Sequence, residues 1–207
     1  MKKKIVFSLI IALLLVGVMR PAPVLAGDIF KFSGKNANAF FFSQEGDCVA
    51  TFVGVFANDG KFQSPPGPPG TGQFADIFID RFDFCTETSL ISAFGSRMLD
   101  ESQFSIEQKL NSASLNTSIE MFDFVTETSF SVDVNLNWTG TGDLVRQSFS
   151  SKFQTPKCKF MERFRGSFRS AEASGVVTDG ITNFTPDPTS DASLGQTTSG
   201  SLVIGCN

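Results

Sequence analysis

The feature that most constrains the fold is the regular alternation of apolar and polar side chains in residues 112–139. Between positions 130 and 138 every even residue is apolar and every odd residue is polar. A side-chain period of two is typical of a β-strand that buries one face. Leu115, Ile119 and Met121 alternate in the same way on the incoming side. We therefore predict a β-hairpin here, and we expect it to belong to an all-β domain.

The centre of this hairpin is nearly repeated earlier in the chain. FDFVTETS at residues 122–129 matches FDFCTETS at residues 82–89. Further short alternating stretches, separated by turn residues, predict a single all-β domain, either an antiparallel β-sandwich or a barrel-like sheet.

The repeat carries two pairs of carboxylates, Asp83 with Glu87 and Asp123 with Glu127. Paired acids can serve a hydrolase, which is one alternative function, or hold calcium. Because the same pair occurs in both copies, we favour a shared turn geometry in which the aspartates accept local backbone hydrogen bonds.

Several other segments have less regular patterns. We interpret residues 33–36 (SGKN) and 58–60 (NDG) as turns, and residues 64–72 (SPPGPPGTG) as a surface loop. Residues 99–110 fit either one helical face or a strand, and we favour a strand because the neighbouring segments are strands.

The N-terminus has the features of a secretory signal peptide. Three lysines precede an apolar run at residues 5–19, and small side chains stand at positions 24 and 26. This run is shorter than the ~20 residues needed to cross a bilayer. We predict removal of residues 1–26, which leaves residues 27–207 as one secreted domain.

Four cysteines follow the predicted signal peptide, and an even number in an oxidising compartment predicts two disulfides. Three connectivities are possible. We favour Cys48–Cys85 with Cys158–Cys206, because each pair can join strands that are near in the chain. Without a C-x-x-C spacing or any histidine, the sequence predicts neither a metal site nor a cofactor.

The aromatic composition is unusual, with 24 phenylalanines, one tryptophan, no tyrosine and no histidine. Because phenylalanine has no polar group, we expect most of these rings, together with Trp138, in the core. The absence of histidine excludes a Ser-His or Cys-His nucleophilic pair. We therefore do not predict an enzyme.

Residues 144–170 contain seven basic side chains and one acid, Glu162, in a chain whose formal net charge is −4. Such an acidic chain is not expected to bind nucleic acid specifically. Strand alternation predicts that the cations lie on the outward face of a hairpin, opposite its phenylalanines. These candidate ligand-binding residues are Arg146, Lys152, Lys157, Lys159, Arg163, Arg165 and Arg169.

This basic stripe suggests a partner that is an anionic glycan, a phosphate polymer or an anionic surface, because arginine forms paired hydrogen bonds with sulfate, phosphate and carboxylate. Two other interpretations remain open. The cations can protect an exposed strand against edge pairing, and the hairpin at residues 113–138, with one apolar face, can insert into a membrane.

Finally, the sequence resembles exported bacterial all-β proteins to which no function is attached. The resemblance rests on residues 110–142, on FRGSFRSAEASGVVTDG at residues 164–180 and on the closing GSLVIGCN. It implies a single secreted domain and no catalytic residues.

Overall fold

A computed structural model describes residues 28–63, 70–155, 158–180, 182–185 and 191–206. Within these ranges all of the regular secondary structure is β-strand. The strands are β1 (Asp28–Glu45), β2 (Val49–Gln63), β3 (Gly70–Asp83), β4 (Thr88–Leu99), β5 (Phe104–Ile106), β6 (Ser112–Asp123), β7 (Thr128–Gly140), β8 (Val145–Gln154), β9 (Cys158–Thr178), β10 (Asn183–Phe184) and β11 (Asp191–Cys206).

Some of the predicted features lie outside the described residues. These are the signal peptide at residues 1–26, most of the proline-glycine loop, Lys157 and the side chain of Cys206. Over the ranges that the structure describes, no helix has the length and apolar character needed to cross a membrane.

All strand pairings are antiparallel, which confirms the predicted all-β antiparallel class. The pairings run β9-β11-β1-β2-β3-β4-β6-β7 and then return to β9, because β7 also pairs with β9. Strand β9 pairs along one edge with β8 and then with β7, and it pairs with β11 on the other edge. The weakest junction in this cycle is between β4 and β6, where only Ala93–Asp123 and Phe94–Phe122 are paired.

The β6–β7 hairpin occupies residues 112–140 and confirms the prediction from alternation. Its inward-facing apolar residues form one buried cluster with residues of β1, β2 and β3, whereas Phe122 on the outer side is 42% exposed. Trp138 is almost fully buried, and its Nε1–H donates to the carbonyl oxygen of Asn38 at 3.0 Å. This bond joins β7 to β1 across the core. The apolar face of the hairpin therefore forms part of the core.

The prediction that most phenylalanines lie in the core is wrong. Among the described residues only four are buried, and nine are exposed. The inner face is instead built from small and aliphatic side chains, including the register partners Ala37 and Ala57. The four buried rings are those of Phe41, Phe56, Phe104 and Phe184.

Several outer phenylalanines cover glycines on the neighbouring strand. A Cβ built on Gly54 would lie 2.1 Å from the ring of Phe78, its register partner. The pair Gly200 and Phe32 has the same arrangement, at 2.2 Å. On the outer surface of the sheet, each ring thus covers the backbone of the neighbouring strand at its glycine.

Both turns predicted near Gly34 and Gly60 are absent, because β1 and β2 run straight through these residues. The two glycines are register partners. A Cβ on Gly34 would lie 2.6 Å from the Gly60 Cα, and a Cβ on Gly60 would lie 2.4 Å from the Ser33 carbonyl oxygen. The glycines are needed because two backbones approach closely, and the sequence pattern alone resembles that of a turn.

The strand predicted at residues 99–110 is only partly present. Strand β5 covers three residues, and the flanking residues form turns. Gln103 Oε1 accepts a hydrogen bond from the Asp100 N–H, and Leu110 has a left-handed φ of 56° with its side chain buried. Turn hydrogen bonds replace the strand ladder on either side of β5, from the Gln103 N–H to the Asp100 carbonyl oxygen and from the Leu110 N–H to the Glu107 carbonyl oxygen.

Candidate functional site

The hairpin formed by β8 and β9 is the most exposed part of the described sheet. Its register runs from Val145 opposite Phe168 to Gln154 opposite Lys159. All ten residues of β8 are exposed. Among the described strands β8 pairs only with β9, so its other edge is open. Both faces of this hairpin are therefore available to a partner.

Five of the seven predicted cations lie on one face of the hairpin, because antiparallel register partners share a face. Ser150 is opposite Arg163, and Ser148 is opposite Arg165. We call this the basic face, defined by Arg146, Lys152, Lys159, Arg163 and Arg165. The opposite side is the phenylalanine face, defined by Phe149, Phe153, Phe160 and Phe164.

The rings of the phenylalanine face are paired across the two strands. Phe149 and Phe164 are stacked with their centroids 5.4 Å apart, and Phe153 and Phe160 lie 6.0 Å apart. Phe153 is 62% exposed. The pairs strengthen the hairpin while leaving an apolar surface open to its surroundings.

The predicted orientation of the two faces is reversed. Ala171 and Val177 point into the core, and Arg163 and Arg165 have the same parity along β9. The basic face therefore continues the core-facing side of the sheet, and the phenylalanine face continues its outer surface. The cations can occupy the inner side because the packed core ends near Arg169, leaving Arg163 and Arg165 exposed.

Arg169 is separated from the other cations by its contacts. Its Nη1 donates to Asn111 Oδ1 at 2.6 Å, and its aliphatic chain lies where a Cβ on Gly140 would be. These contacts connect β9 to the start of β6. Arg169 therefore closes the end of the core, and we do not include it in the basic face.

A shallow hollow of about 370 Å³ lies around Arg163 and Arg165. Ser148, Ser150 and Ser199 add polar residues to its lining, and Phe149 and Phe164 also border it. An irregularity in the register between Thr197 and Ser199 places Ser199 opposite Arg165. Two guanidinium groups beside three hydroxyls form a set of donors suited to a sulfate, phosphate or carboxylate group.

The cations of the basic face have no acidic partner in the part of the chain that the structure describes. The one ion pair found there joins Arg81 to Glu45, at 2.6 Å. The positive charges of Arg163 and Arg165 are therefore not neutralised within the described protein, and they remain available to an external anion.

Two lysines that were not among the predicted site residues extend this surface. Lys31 is opposite Ser201, which in turn is opposite Arg163, so all three share a face. Lys61 is opposite Ser33, two residues along β1 from Lys31. The signal was present in the alternation of Lys31, Ser33 and Lys35 with Phe30 and Phe32, but the pairing of β1 with β11 was needed to interpret it.

Glu162 is the one acid among residues 144–170, and it lies on the phenylalanine face. Its neighbours in the register are Ser151 on β8 and Leu202 on β11, and neither carries a charge. Burial raises the pKa of the Glu162 carboxyl above its ordinary value of 4.5. The ionised form is thus disfavoured in the folded protein.

We expect Glu162→Gln to increase stability at about pH 7 and to have little effect at about pH 4. Because the folded-state pKa is raised, the wild-type protein loses stability as the pH rises from the ordinary value through the folded one. Urea unfolding midpoints of both proteins at the two pH values test this. Equal midpoints at both pH values, or a gain at acid pH only, would contradict it.

The duplicated acidic turns have a structural role in both copies. Asp83 Oδ1 accepts from the N–H groups of Cys85 and Thr86, and Asp123 Oδ1 accepts from the N–H of Val125. The glutamates adopt the same left-handed conformation, with φ of 53° at Glu87 and 56° at Glu127. The expected shared turn geometry is confirmed.

The two aspartates differ in their surroundings. Asp123 is 4% exposed and also accepts from the Ser92 N–H, which links β6 to β4 at their short junction. Burial of Asp123 acts to raise its pKa, but the hydrogen bonds from Val125, Ser92 and Thr126 outweigh it and lower the pKa. At Asp83 the hydrogen bonds, first those from Thr86, also lower the pKa. A general acid needs the opposite shift.

The predicted disulfide between Cys48 and Cys85 is confirmed, with the Cα atoms 5.2 Å apart. Asp83 lies beside it, but the two sulfurs are bonded to each other and are not available as thiolate ligands for a metal. The backbone positions of Cys158 and Cys206 are register partners. The second disulfide stays a prediction, because the side chain of Cys206 lies outside the described residues.

A larger hollow of about 500 Å³ lies over β6 and β7. Its strongest donors already have partners within the protein. The Arg97 guanidinium donates to the Ser118 carbonyl oxygen at 2.6 Å, and the Gln103 amide donates to the Thr117 hydroxyl. The basic face, whose cations have no acidic partner among the residues that the structure describes, is therefore the better candidate site.

Comparison with known proteins does not assign this chain to a family. No protein-family model matches it, and no curated protein or solved structure shows significant similarity to it.

Proposed function

We propose that this protein binds an anionic partner through the basic face of the β8–β9 hairpin. The observation that carries the proposal is the absence of any acidic partner for these cations among the described residues, next to a hollow that serine hydroxyls also line. Arginine pairs favour an anion with several oxygens, such as sulfate or phosphate. Lys31 and Lys61 extend the site along the sheet.

We also propose that the protein works outside the cytoplasm. The Cys48–Cys85 disulfide is consistent with an oxidising compartment, and residues 1–26 have the composition of an export signal. An exported protein with exposed cations meets anionic polymers and surfaces directly, and this setting agrees with a binding role.

The proposal is tested by retention on a phosphorylated or sulfated matrix over a salt gradient. We expect Arg163→Gln/Arg165→Gln to elute at clearly lower salt than the wild type, because the two guanidinium groups at the hollow are removed. Arg97→Gln/Lys109→Gln is the matched control. It removes the same charge at two exposed positions away from the basic face, so it reports the effect of net charge alone.

The control is expected to elute close to the wild type. If both double variants shift equally, retention depends on net charge and the site is not at the basic face. Circular dichroism and urea midpoints of each variant establish that the fold is retained.

A further inference from the structure

The β8–β9 hairpin combines two chemistries on opposite faces of a single sheet layer. The phenylalanine face exposes Phe149 and Phe153, at 40% and 62%. The other face carries the cations of the basic face, which have no acidic partner within the described ranges of the chain. Phe32, also exposed on β1, and Leu202 on β11 continue the apolar side through the register. An anion-binding site alone does not explain why these large apolar rings are exposed.

The amphipathic arrangement has the composition of segments that lie in the interface of a bilayer. Amphipathic helices that lie there bury aromatic and aliphatic side chains ~5–10 Å into the boundary between headgroups and acyl chains, and their opposite face is rich in lysine and arginine. Anionic headgroups attract these cations. Phenylalanine suits the buried side because it has no polar group that must be satisfied.

A second copy of the chain is a poorer occupant for the open edge of β8. Edge pairing between two copies with matched faces would place both sets of cations, including Arg146 and Lys152, on the same side of the joined sheet. Like charges side by side on a sheet are destabilising, and lysine on an edge strand opposes such pairing. An anionic lipid surface neutralises the same charges.

We propose that the partner of the hairpin is an anionic lipid bilayer. In this arrangement the hairpin lies in the plane of the interface, with the four rings of the phenylalanine face directed to the acyl chains. The cations of the basic face lie at the level of the lipid phosphates. This inference rests on the proposed function, because it names the anion and adds the apolar contact that a soluble polymer does not provide.

The test is flotation of the protein with vesicles made of phosphatidylcholine alone, or of an equal mixture of phosphatidylcholine and phosphatidylglycerol. We expect binding to the anionic vesicles, and at least about tenfold weaker binding by Phe149→Ser/Phe153→Ser. This variant keeps every cation, so its retention on a phosphorylated matrix should be unchanged. The matched control is Phe84→Ser/Phe124→Ser, which removes two exposed rings from the acidic turns and should bind as the wild type does.

A second measurement identifies which side meets the lipid. Trp138 is buried, so Phe153→Trp adds one exposed indole on the phenylalanine face. We expect quenching of this indole by anionic vesicles whose lipids carry bromine in the acyl chains. Phe124→Trp, in an acidic turn, should show no comparable quenching.

The outcomes separate the inference from the proposed function. Retention on the phosphorylated matrix without binding to anionic vesicles would overturn the bilayer as partner and leave the proposed function standing. Loss of both would overturn both. Equal vesicle binding by Phe149→Ser/Phe153→Ser and the wild type, or equal binding to both kinds of vesicle, would also overturn the inference.

Discussion

Trp138→Ala is expected to destabilise the protein by about 3–5 kcal/mol, the range for removing a large aromatic side chain from a core. The indole is 1% exposed, and the substitution also removes its hydrogen bond to the Asn38 carbonyl oxygen. Such a loss is a large share of the ~5–15 kcal/mol typical of a folded domain. Urea unfolding with the Cys48–Cys85 disulfide intact measures the change.

Two further variants separate the contributions at this position. Trp138→Phe keeps most of the buried ring but not the donor, so we expect a smaller loss than for alanine. Met98→Ala, which shortens a side chain that is 60% exposed, should change stability little. A Trp138→Ala protein as stable as the wild type would show that this ring does not hold β7 against β1.

Gly60→Ala is expected to cost about 3 kcal/mol, at the upper end for forcing extra volume into a packed site. The new methyl group would lie 2.4 Å from the Ser33 carbonyl oxygen and 3.0 Å from the Gly34 Cα. Both are backbone atoms, so β1 and β2 must separate to make room. Thermal and urea unfolding of the variant measure the cost.

Gly72→Ala is a control from the same row of the sheet, because Gly72 is the register partner of Gly60 on β3. Its added methyl group would meet only the end of the exposed Met98 side chain, at 3.0 Å. We expect little loss there, because a flexible side chain can move. If the two alanine variants lose equal stability, the close approach of β1 and β2 is not what requires glycine at position 60.

Much of the fold could be predicted from side-chain alternation. The β6–β7 hairpin was predictable to within a residue, because Val132, Leu136 and their neighbours fill one face without interruption. The disulfide between Cys48 and Cys85 followed from chain order. Alternation reports that a strand has two different faces, and one of them is usually buried.

Alternation does not report which of two apolar faces is buried. In β1 to β3 aliphatic residues such as Ala57, Val55 and Ile77 face inward, and the larger rings of Phe40, Phe78 and Phe52 lie on the outer side. The expectation that most phenylalanine rings lie in the core favoured the opposite assignment. The same ambiguity reversed the faces of the β8–β9 hairpin, since the rings there also lie outside. Only the pairing of strands far apart in the chain resolves it.

The candidate site was predictable in part for the same reason. The cations of β8 and β9 are close in sequence, so the hairpin could be recognised. Lys31 joins them through β11, and Arg169 leaves them because of its contact with Asn111. Neither fact depends on residues that are neighbours in the chain. The acidic turns needed no tertiary information, because each aspartate accepts hydrogen bonds from its own loop.

The cycle of strand pairings has a consequence for how the chain folds. The hairpins β1–β2, β3–β4 and β6–β7 join neighbouring segments and can form while synthesis continues. The pairing of β1 with β11 joins Asp28 to Ile204, so it must wait until nearly the whole sequence is present. Contacts of such separation slow folding, and they leave an open strand edge on the intermediate. Until the last strand docks, the edge of β1 can recruit another polypeptide, so assembly of this protein is most vulnerable to aggregation at its final step.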